Sequence, residues 1–221
     1  MNLAEDRGYT YADYALWDDG IRYELIDGIA YAMASPSESH QRISRKLLVQ
    51  LDNFLRGKTC EVFHAPFDVR LNFDTFDDTV VQPDLLVVCD KSKLDGKGVR
   101  GVPDFIIEIL SPTNTQHDTR RKYNQYQAAR VREYWIVNPV RRNVEVYILK
   151  NKKYVGRIYS DDDIIPVHAL KGCQINLTDV FYDIESIDNI ELEIRQKVVD
   201  AFREVGISDE QIEKAVKKLK S

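Results

Sequence analysis

The alternation of apolar and polar positions divides most of the chain into short strands and a few helices. Arg22–Ile26 and Ile29–Ala34 are β-prone runs separated by Asp27-Gly28, and this arrangement predicts a β-hairpin. After Ser35-Pro36-Ser37, apolar residues recur every three to four positions, which predicts an amphipathic helix that ends before Gly57. The apolar positions of this helix are Ile43, Leu47, Leu51, Phe54 and Leu55.

Three continuous apolar runs have the length and the β-branched content of strands that are covered on both faces. They are Leu85–Cys89, Pro103–Leu110 and Glu133–Val137. A helix over about residues 115–130 separates the last two runs, so we expect a right-handed crossover between two parallel strands. A second hairpin, formed by Val144–Leu149 and Tyr154–Tyr159, indicates that the sheet is mixed. The expected fold class is therefore α/β (α+β), with a mixed sheet flanked by helices.

The remaining segments before residue 102 are shorter. Thr10 is a candidate N-cap of a short helix over residues 10–18, and Glu61–His64 and Phe67–Leu71 are two further predicted strands. Residues 72–79 and 90–101 are polar and rich in turn-forming residues, so we expect loops there.

The end of the chain differs from the rest. Residues 192–221 are charged, are interrupted by Gly206 and carry apolar residues at helical spacing, and Ser208 with Gln211 forms a capping box. The sequence predicts a main domain over residues 1–187 and a C-terminal helical hairpin extension over residues 188–221. The extension would pack on the main domain or on a partner.

Composition narrows the class of protein. With 43% hydrophobic and 30% charged residues, the chain has the composition of a folded protein. No apolar run approaches the roughly 20 residues that cross a bilayer, and the first residues lack the apolar core of a signal peptide, so a cytoplasmic protein is expected. Cys60, Cys89 and Cys173 lack the spacing of a zinc site or a disulfide framework, and we interpret all three as small buried apolar side chains.

The net charge of −5 argues against a nucleic-acid partner, because phosphates are bound by lysine and arginine. The local field near a site matters more than the total, and an acidic site that holds a metal adds to the negative total. Arg120, Arg121 and Lys122 form one local basic run, and a second consists of Lys91, Lys93, Lys97 and Arg100. The alternative is that both runs are solvated surface charges.

Two acidic residues occupy positions that a folded core disfavours. Asp84 opens a buried strand directly after Pro83, and Glu108 lies inside the run FIIEIL. A carboxylate in such surroundings needs a cation, a set of hydrogen bonds or a proton. Two acids on neighbouring strands would form an oxygen site of the kind that holds Mg²⁺ or Mn²⁺. Alternatively, Asp84 caps the start of its strand and Glu108 pairs with an arginine such as Arg130 or Arg132.

Lys122 follows on the next helix, four residues after Asp118 and four before Tyr126, so these three side chains share one helix face. A lysine at a metal site can orient the attacking water or neutralise developing charge. Glu24 is a further candidate, although strand alternation could direct it inward or outward. The alternative for Asp118 and Lys122 is an exposed ion pair. His40, His64, His117 and His168 show no ligand spacing and are interpreted as surface or hydrogen-bonded histidines.

Seven segments in order carry a family resemblance. They are YELIDG (23–28), SPSESHQRISRKLL (35–48), APFDVRL (65–71), VVQPDLLVV (80–88), GVPDFIIEILSPT (101–113), DTRRKYNQY (118–126) and REYWIVNP (132–139). Together they resemble the Uma-type family of bacterial restriction endonucleases, which belongs to the PD-(D/E)xK nuclease superfamily. The resemblance covers most of residues 20–180 and implies that the main domain, residues 1–187, is restriction-endonuclease-like.

The resemblance implies that Asp84 is the first acid of the motif and Glu108 the second, with Glu24 assisting. The chain departs from the superfamily pattern at Leu110, where a lysine is expected. Lys122 on the following helix is expected to take the place of that lysine. In this interpretation Asp84, Glu108 and the Ile109 carbonyl bind Mg²⁺ or Mn²⁺, while Asp118 and Tyr126 support them.

The sequence thus leads to one main hypothesis and two alternatives. The main hypothesis is a metal-dependent endonuclease that acts on duplex or structured DNA, and a homodimer is expected because paired nicks need two sites. The acidic pI of about 5.5 and Leu110 motivate the first alternative, a weak or inactive nuclease fold that serves as a nucleic-acid-binding or regulatory module. The second alternative is a structural protein that assembles through its helical tail.

Overall fold

The structure is a computed structural model that describes residues 8–111 and 116–184. Its strands are β1 (Tyr23–Ile26), β2 (Ile29–Ala32), β3 (Glu61–His64), β4 (Asp68–Arg70), β5 (Val80–Val81), β6 (Leu85–Val88), β7 (Gly98–Arg100), β8 (Phe105–Ile109), β9 (Glu133–Asn138), β10 (Asn143–Lys150), β11 (Lys153–Ser160), β12 (Ile164–Pro166) and β13 (Gln174–Asn176). Its α-helices are α1 (Tyr11–Tyr14), α2 (Glu38–Leu55), α3 (Gln116–Ala128) and α4 (Leu177–Phe181), and Lys91–Lys93 forms a 3₁₀ turn.

The main sheet has six strands in the order β11-β10-β9-β8-β6-β3. Strands β8 and β9 run parallel, and their neighbours in this sheet pair antiparallel. Helix α3 lies between β8 and β9 in the chain. Parallel strands need such a crossover, because a tight turn can join only antiparallel strands. The expected mixed sheet and the expected β–α–β unit are therefore confirmed.

A smaller sheet has five strands in the order β2-β1-β5-β4-β7. Asp27 and Gly28 connect β1 to β2 with φ of 50° and 76°, the backbone that the Asp-Gly pair predicts for a tight hairpin. Residues 90–101 were expected to be a loop, yet they contain β7, which pairs parallel to β4. Gly98 allows this approach, because a Cβ there would lie 2.3 Å from the Asp68 carbonyl oxygen.

Both faces of the main sheet are covered. On one face, Leu85, Ile107 and Trp135 join a buried cluster with Leu47 and Leu51 of α2. On the other face the cluster contains Leu86, Ile106 and Tyr134 from the main sheet together with Tyr126 of α3 and Ile26, Val69 and Val81 of the small sheet. Residues next to each other in β6 and β8 thus fall into different clusters, which explains why these strands are apolar at consecutive positions.

The structure corrects the interpretation of two cysteines. Cys60 and Cys89 are half-buried and joined by a disulfide bond, whereas Cys173 is free and buried, as expected. The β3–β6 pair aligns Glu61 with Val88, so the residues just outside the pair, Cys60 and Cys89, lie opposite each other. They are 29 residues apart in sequence, and only the register of these two strands brings them together.

Three further expectations concern helix α1, membrane-spanning helices and the C-terminal extension. Helix α1 is shorter than the expected span of residues 10–18, but the Thr10 backbone N–H does donate to the Asp13 carboxylate at 2.9 Å, as in a capping box. Over residues 8–111 and 116–184, no helix is long and apolar enough to cross a membrane. The expected boundary at residues 187–188 and the helical tail lie outside the described residues.

Candidate active site

Strand register places the two motif acids side by side. In the antiparallel β6–β8 pair, Leu85 aligns with Ile107, so the next position along aligns Asp84 with Glu108. The Ile109 backbone N–H donates to Oδ2 of Asp84 at 2.7 Å, which fixes this carboxylate at the ends of the two strands. Asp84 therefore does cap a backbone group, but it does so beside Glu108 and not in isolation.

Lys122 lies between two carboxylates. Its Nζ is 2.9 Å from Oε1 of Glu108 and 2.9 Å from Oε1 of Glu24. Glu24 is only 6% exposed, so its side chain points inward, and the Gln82 backbone N–H donates to its Oε1 at 2.9 Å. Glu108 thus pairs with Lys122 and not with Arg132, which lies 3.1 Å from Asp104.

Residues spaced four apart on helix α3 come together at this site. The Tyr126 hydroxyl donates to Oε1 of Glu108 at 2.6 Å, one turn after Lys122. Asp118 lines the same cavity and accepts a hydrogen bond from the Arg121 guanidinium at 2.6 Å. Arg121 in turn lies over the ring of Tyr31 at 3.6 Å, so two cations from α3 face the cavity.

The basic runs noted in the sequence have different locations. Arg121 and Lys122 line the cavity, whereas Arg120 is exposed. In the second run Lys91 pairs with Glu61 at the surface, and Lys93 donates to the Val102 carbonyl oxygen at 2.8 Å. The expectation of surface charges therefore fits Lys91 and Arg120 but not Arg121 and Lys122.

Burial and charge set the protonation of this cluster. Burial raises the pKa of Glu108 to about 7; Lys122 opposes this rise, and the carboxylates of Asp84 and Glu24 add to it. Burial lowers the pKa of Lys122, but the two glutamates outweigh it, so the pKa is raised and the ammonium stays charged at neutral pH. Burial, with the charge of Glu108, holds the pKa of Tyr126 well above its usual range, so this hydroxyl remains a donor.

His40 is a site residue that the sequence interpretation missed. It is 8% exposed, and its Nε2 lies 3.0 Å from Oδ2 of Asp84. Its Nδ1 is buried without a hydrogen-bond partner among the described residues. A signal was present, because His40 stands three residues before Ile43 and seven before Leu47, on the apolar face of α2. A histidine on that face must be buried, so it needs a polar partner.

The other two histidines whose side chains are described fit the interpretation as surface or hydrogen-bonded side chains. His64 is exposed and lies 3.0 Å from the Ala65 carbonyl oxygen through Nδ1, although it also lines the rim of the cavity. His168 is exposed. The side chain of His117 lies outside the described part of the chain.

The cluster lines a cavity of about 570 Å³, within the range typical of ligand pockets. The sequence-derived candidates that line it are Glu24, Asp84, Glu108, Ile109, Asp118 and Lys122. Tyr126 stands behind Glu108 as a fully buried support. All the candidates therefore come together at one place, and Arg22 and Arg121 add positive charge to the wall.

The donor set can be compared with the needs of a hard cation. Three carboxylates, from Glu24, Asp84 and Glu108, are in contact with one ammonium, that of Lys122, and one imidazole, that of His40. Within the described ranges, no group of three or more His, Cys, Asp or Glu side chains is arranged to hold a metal ion. The expected set is smaller, two carboxylates with the Ile109 carbonyl. It suits Mg²⁺, which usually takes one or two carboxylates and keeps several waters.

A mixed sheet with Asp84 and Glu108 side by side on adjacent strands, and Lys122 in contact with Glu108, is the arrangement of a restriction-endonuclease-like protein. The sequence profile of the Uma2 family, described as "Putative restriction endonuclease", matches residues 11–178. This match covers well over half of the chain, and the protein belongs to that family. The resemblance drawn from the sequence segments is therefore confirmed.

Two individual proteins are also similar to this chain. A crystal structure from Anabaena variabilis ATCC 29413, described as "a putative nuclease belonging to DUF820", superposes with a TM-score of 0.64 and 17% identity, over 78% of this chain and 97% of that one. The protein named "Uncharacterized protein slr1290" from Synechocystis sp. is 27% identical over 138 residues, which are 61% of this chain and 71% of that protein. The structural match confirms the expected fold class.

Proposed function

We propose that the protein is a metal-dependent endonuclease that hydrolyses phosphodiester bonds in DNA. One observation carries the proposal: Asp84 and Glu108 lie side by side on adjacent strands, and Lys122 contacts Glu108 inside a cavity that also holds arginines. Two carboxylates and a cation in a cavity fit a phosphate with a divalent ion, because each charge then has a partner of opposite sign. Membership of the Uma2 family supports the same class of reaction.

Asp84, Glu108 and the Ile109 carbonyl would hold Mg²⁺ or Mn²⁺. Because the N–H and C=O of a strand residue point to the same neighbouring strand, the Ile109 carbonyl faces the side on which its N–H bonds Asp84. When bound, the ion would polarise the scissile phosphate and lower the pKa of a water molecule. Glu24 would orient a water molecule at the edge of this set or assist a second ion.

Lys122 would act as a charged donor. Its raised pKa keeps the ammonium protonated, so it is unsuited to remove a proton from the attacking water. It can donate hydrogen bonds that orient this water or neutralise the negative charge that develops on the phosphate. Its contacts with Glu108 and Glu24 place the ammonium beside the proposed ion and not on the opposite wall.

The other contacts of the cavity support these groups. His40 holds Oδ2 of Asp84, and Tyr126 holds Oε1 of Glu108, so each acid keeps one oxygen in a fixed position. Asp118 fixes the Arg121 guanidinium by its hydrogen bond. Arg22 and Arg121 would contact phosphates on either side of the cut, which answers the objection raised by the net charge of −5.

Glu108→Gln tests the proposal. The wild-type protein is expected to cut plasmid DNA with Mn²⁺ or Mg²⁺, and the variant is expected to lose at least about 100-fold in rate, because an amide does not supply the anionic oxygen the ion needs. Glu61→Gln is the matched control, since Glu61 pairs with Lys91 at the surface. The proposal fails if the Glu108→Gln protein retains the cleavage rate of the wild type.

Calorimetric titration with Mn²⁺ separates the enzyme from the binding-module alternative. We expect wild-type protein to give binding heat and Asp84→Asn to give none, because the remaining carboxylates cannot replace the missing one. DNA binding without metal heat and without cleavage would instead support a nuclease-fold binding module.

Homodimer formation and cytoplasmic location stay predictions. Sedimentation equilibrium would test whether the protein is a homodimer.

A further inference from the structure

A second cavity of about 340 Å³ lies beside the catalytic one. Four aromatic side chains line it, from Tyr11, Tyr14, Trp17 and Tyr23. Arg22 and Gln82 line both cavities, so the two spaces share a wall. The reaction proposed above uses none of the four aromatic residues, and their presence next to the site needs its own explanation.

The aromatic rings are held in a fixed array. Trp17 meets Tyr9 at 5.1 Å, Tyr14 at 5.5 Å and Tyr23 at 5.1 Å between ring centroids, each in an edge-on arrangement. The three tyrosines and Trp17 are half-buried, so part of each ring faces the solvent or the cavity. Ile21, which is exposed and also lines the cavity, extends this apolar surface. Burial of this aromatic surface against a flat apolar ligand would be more favourable than its exposure to water.

The polar side of the cavity connects directly to the acids. The Gln82 side chain accepts a hydrogen bond from Arg22 at 2.7 Å and donates to the Tyr14 hydroxyl at 3.0 Å and to Asp68 at 2.9 Å. Its backbone N–H donates to Glu24 in the catalytic cluster at 2.9 Å. Gln82 is two residues before Asp84 in the chain. A molecule bound in the aromatic cavity would therefore lie next to a molecule bound in the catalytic cavity.

Two cations and one acid line the aromatic cavity. Arg22, which also lines the catalytic cavity, and Lys97 are both exposed, whereas Asp68 accepts hydrogen bonds from Tyr14 and Gln82. A strand that passes from the catalytic cavity over Arg22 would set one phosphate beside this guanidinium. The base that follows would then meet the rings of Trp17 and Tyr23, and stacking on aromatic side chains is how proteins hold unpaired bases.

We propose that the aromatic cavity is a subsite for one unpaired nucleobase of the strand that is cut. The inference rests on the proposed nuclease function and deepens it, because a base must leave its duplex partner before it can enter a pocket. The substrate class is therefore DNA with a single-stranded segment beside the cleavage site, such as a splayed arm, in preference to blunt duplex. Arg22 is a binding residue for the intervening phosphate.

Tryptophan fluorescence tests the subsite without any cleavage. The chain has two tryptophans, and Trp135 is fully buried in the core, so Trp17 is the one that a ligand can reach. We expect a 12-nucleotide single-stranded oligodeoxynucleotide, added without divalent metal, to quench the Trp17 emission. The same sequence as a blunt duplex should quench less. No quenching at a saturating concentration of the single strand overturns the proposal.

Variants test the affinity by anisotropy of a labelled oligodeoxynucleotide. Trp17→Leu and Tyr23→Ala should each weaken single-strand binding about 5- to 150-fold, since one stacked base contributes on that scale. Trp17→Phe keeps an aromatic ring and should restore most of the binding. Tyr182→Ala is the control, because Tyr182 is 83% exposed and lines neither cavity. Wild-type affinity in Trp17→Leu overturns the subsite.

Cleavage assays separate this proposal from the nuclease proposal. Wild-type protein should cut a duplex with a splayed single-stranded arm faster than the blunt duplex, and Trp17→Leu should abolish that difference. If Trp17→Leu keeps the full preference, the subsite is wrong while the nuclease stands. If Glu108→Gln cuts like the wild type, the nuclease proposal fails, and the fluorescence result decides the subsite independently.

Discussion

At the scale of the residue, Lys122 is the side chain on which the acidic cluster depends. It is 17% exposed and lies 2.9 Å from both Glu24 and Glu108, whose side chains are 8% and 12% exposed. Removal of one partner from a buried ion pair leaves the other charge without compensation, and this is more destabilising than the absence of the whole pair. Loss of Lys122 alone is therefore expected to lower folding stability, in addition to its effect on the proposed chemistry.

Lys122→Met should lower the free energy of unfolding at pH 8 by about 3 kcal/mol, because Glu24 and Glu108 lose their shared cation. Urea unfolding followed by circular dichroism measures this change. Addition of Mn²⁺ should restore more stability to the variant than it adds to the wild type, since the ion supplies the missing positive charge. A loss of less than about 1 kcal/mol would contradict this account of the pair.

Glu133 is a second buried acid, away from the proposed site. Its Oε1 accepts from the Trp135 indole N–H at 2.8 Å and its Oε2 accepts from the Ala169 N–H at 2.6 Å. Burial raises its pKa to about 7, and these hydrogen bonds offset only part of that rise. The folded state thus binds a proton more tightly here than the unfolded chain does.

The pH dependence of stability follows from that difference. Between the ordinary glutamate pKa of 4.5 and the folded-state pKa of about 7, Glu133 holds its proton in the folded state but not in the unfolded state. The contribution to stability is therefore complete below 4.5 and is lost as pH rises through 7. Glu133→Gln removes this titration, so a plot of unfolding free energy against pH from 5 to 8 should fall less steeply than for wild type. Parallel plots would contradict the assignment.

At the scale of the element, the second acid and the lysine come from two elements, strand β8 and helix α3, whereas the superfamily pattern has both on one strand. Leu110 occupies the expected lysine position and packs against the core cluster of α3 and the small sheet. Lys122 reaches Glu108 from α3 instead. Strand alternation puts position 110 on the same face as Glu108, so a lysine there would point toward the same carboxylates.

This geometry predicts a rescue. Leu110→Lys added to Lys122→Met should recover cleavage on the order of tenfold above the single variant, because a cation returns to the same side of β8. The assay is Mn²⁺-dependent plasmid cleavage, with circular dichroism to confirm that both proteins fold. Leu110→Met in the same background is the control for a change of volume without charge. Equal rates in the lysine and methionine versions would show that the ammonium must come from α3.

Elements differed in how well the sequence predicted them. Strands β6, β8 and β9 were predicted because burial on both faces leaves a continuous apolar run, and α2 because one buried face leaves a helical period. Strands β5 and β7 were not, because segments of two and three residues carry no period of their own. Strand β5 is held by its pairing with β1 and β4, and β7 by its pairing with β4.

At the scale of the whole molecule, the chain leaves the main sheet after β3, builds two strands of the small sheet, and returns as β6. The Cys60–Cys89 disulfide closes this excursion at its two ends. Cross-linking the ends of a loop of this length restricts the unfolded chain and stabilises the folded one. The disulfide therefore ties together the part of the chain that connects the two sheets.

Cys60→Ser with Cys89→Ser should lower the free energy of unfolding by about 2–4 kcal/mol under oxidising conditions. A thiol reductant should destabilise wild-type protein by a similar amount and leave the double variant unchanged, because that variant has no bond to break. Chemical denaturation with and without reductant provides the measurement. Equal stability of all four samples would mean that the bond contributes nothing to folding.

The sequence by itself determined which segments are buried strands and helices, and which charged residues stand among apolar neighbours. Burial selects apolar residues at the buried positions of each segment, so the pattern appears in the local spacing of apolar residues. By this route Asp84, Glu108, Lys122 and Tyr126 were found, and the signal of His40 on the apolar face of α2 was present but not used.

Only the tertiary structure decided which of these residues meet. The inward direction of Glu24, its sharing of Lys122 with Glu108, the pairing of Cys60 with Cys89 and the link from Gln82 to the aromatic cavity all depend on strand register and sheet packing. Register joins residues far apart in the chain, and a shift of one residue would turn each side chain to the opposite face. No local spacing contains that information, because it arises from contacts between whole elements.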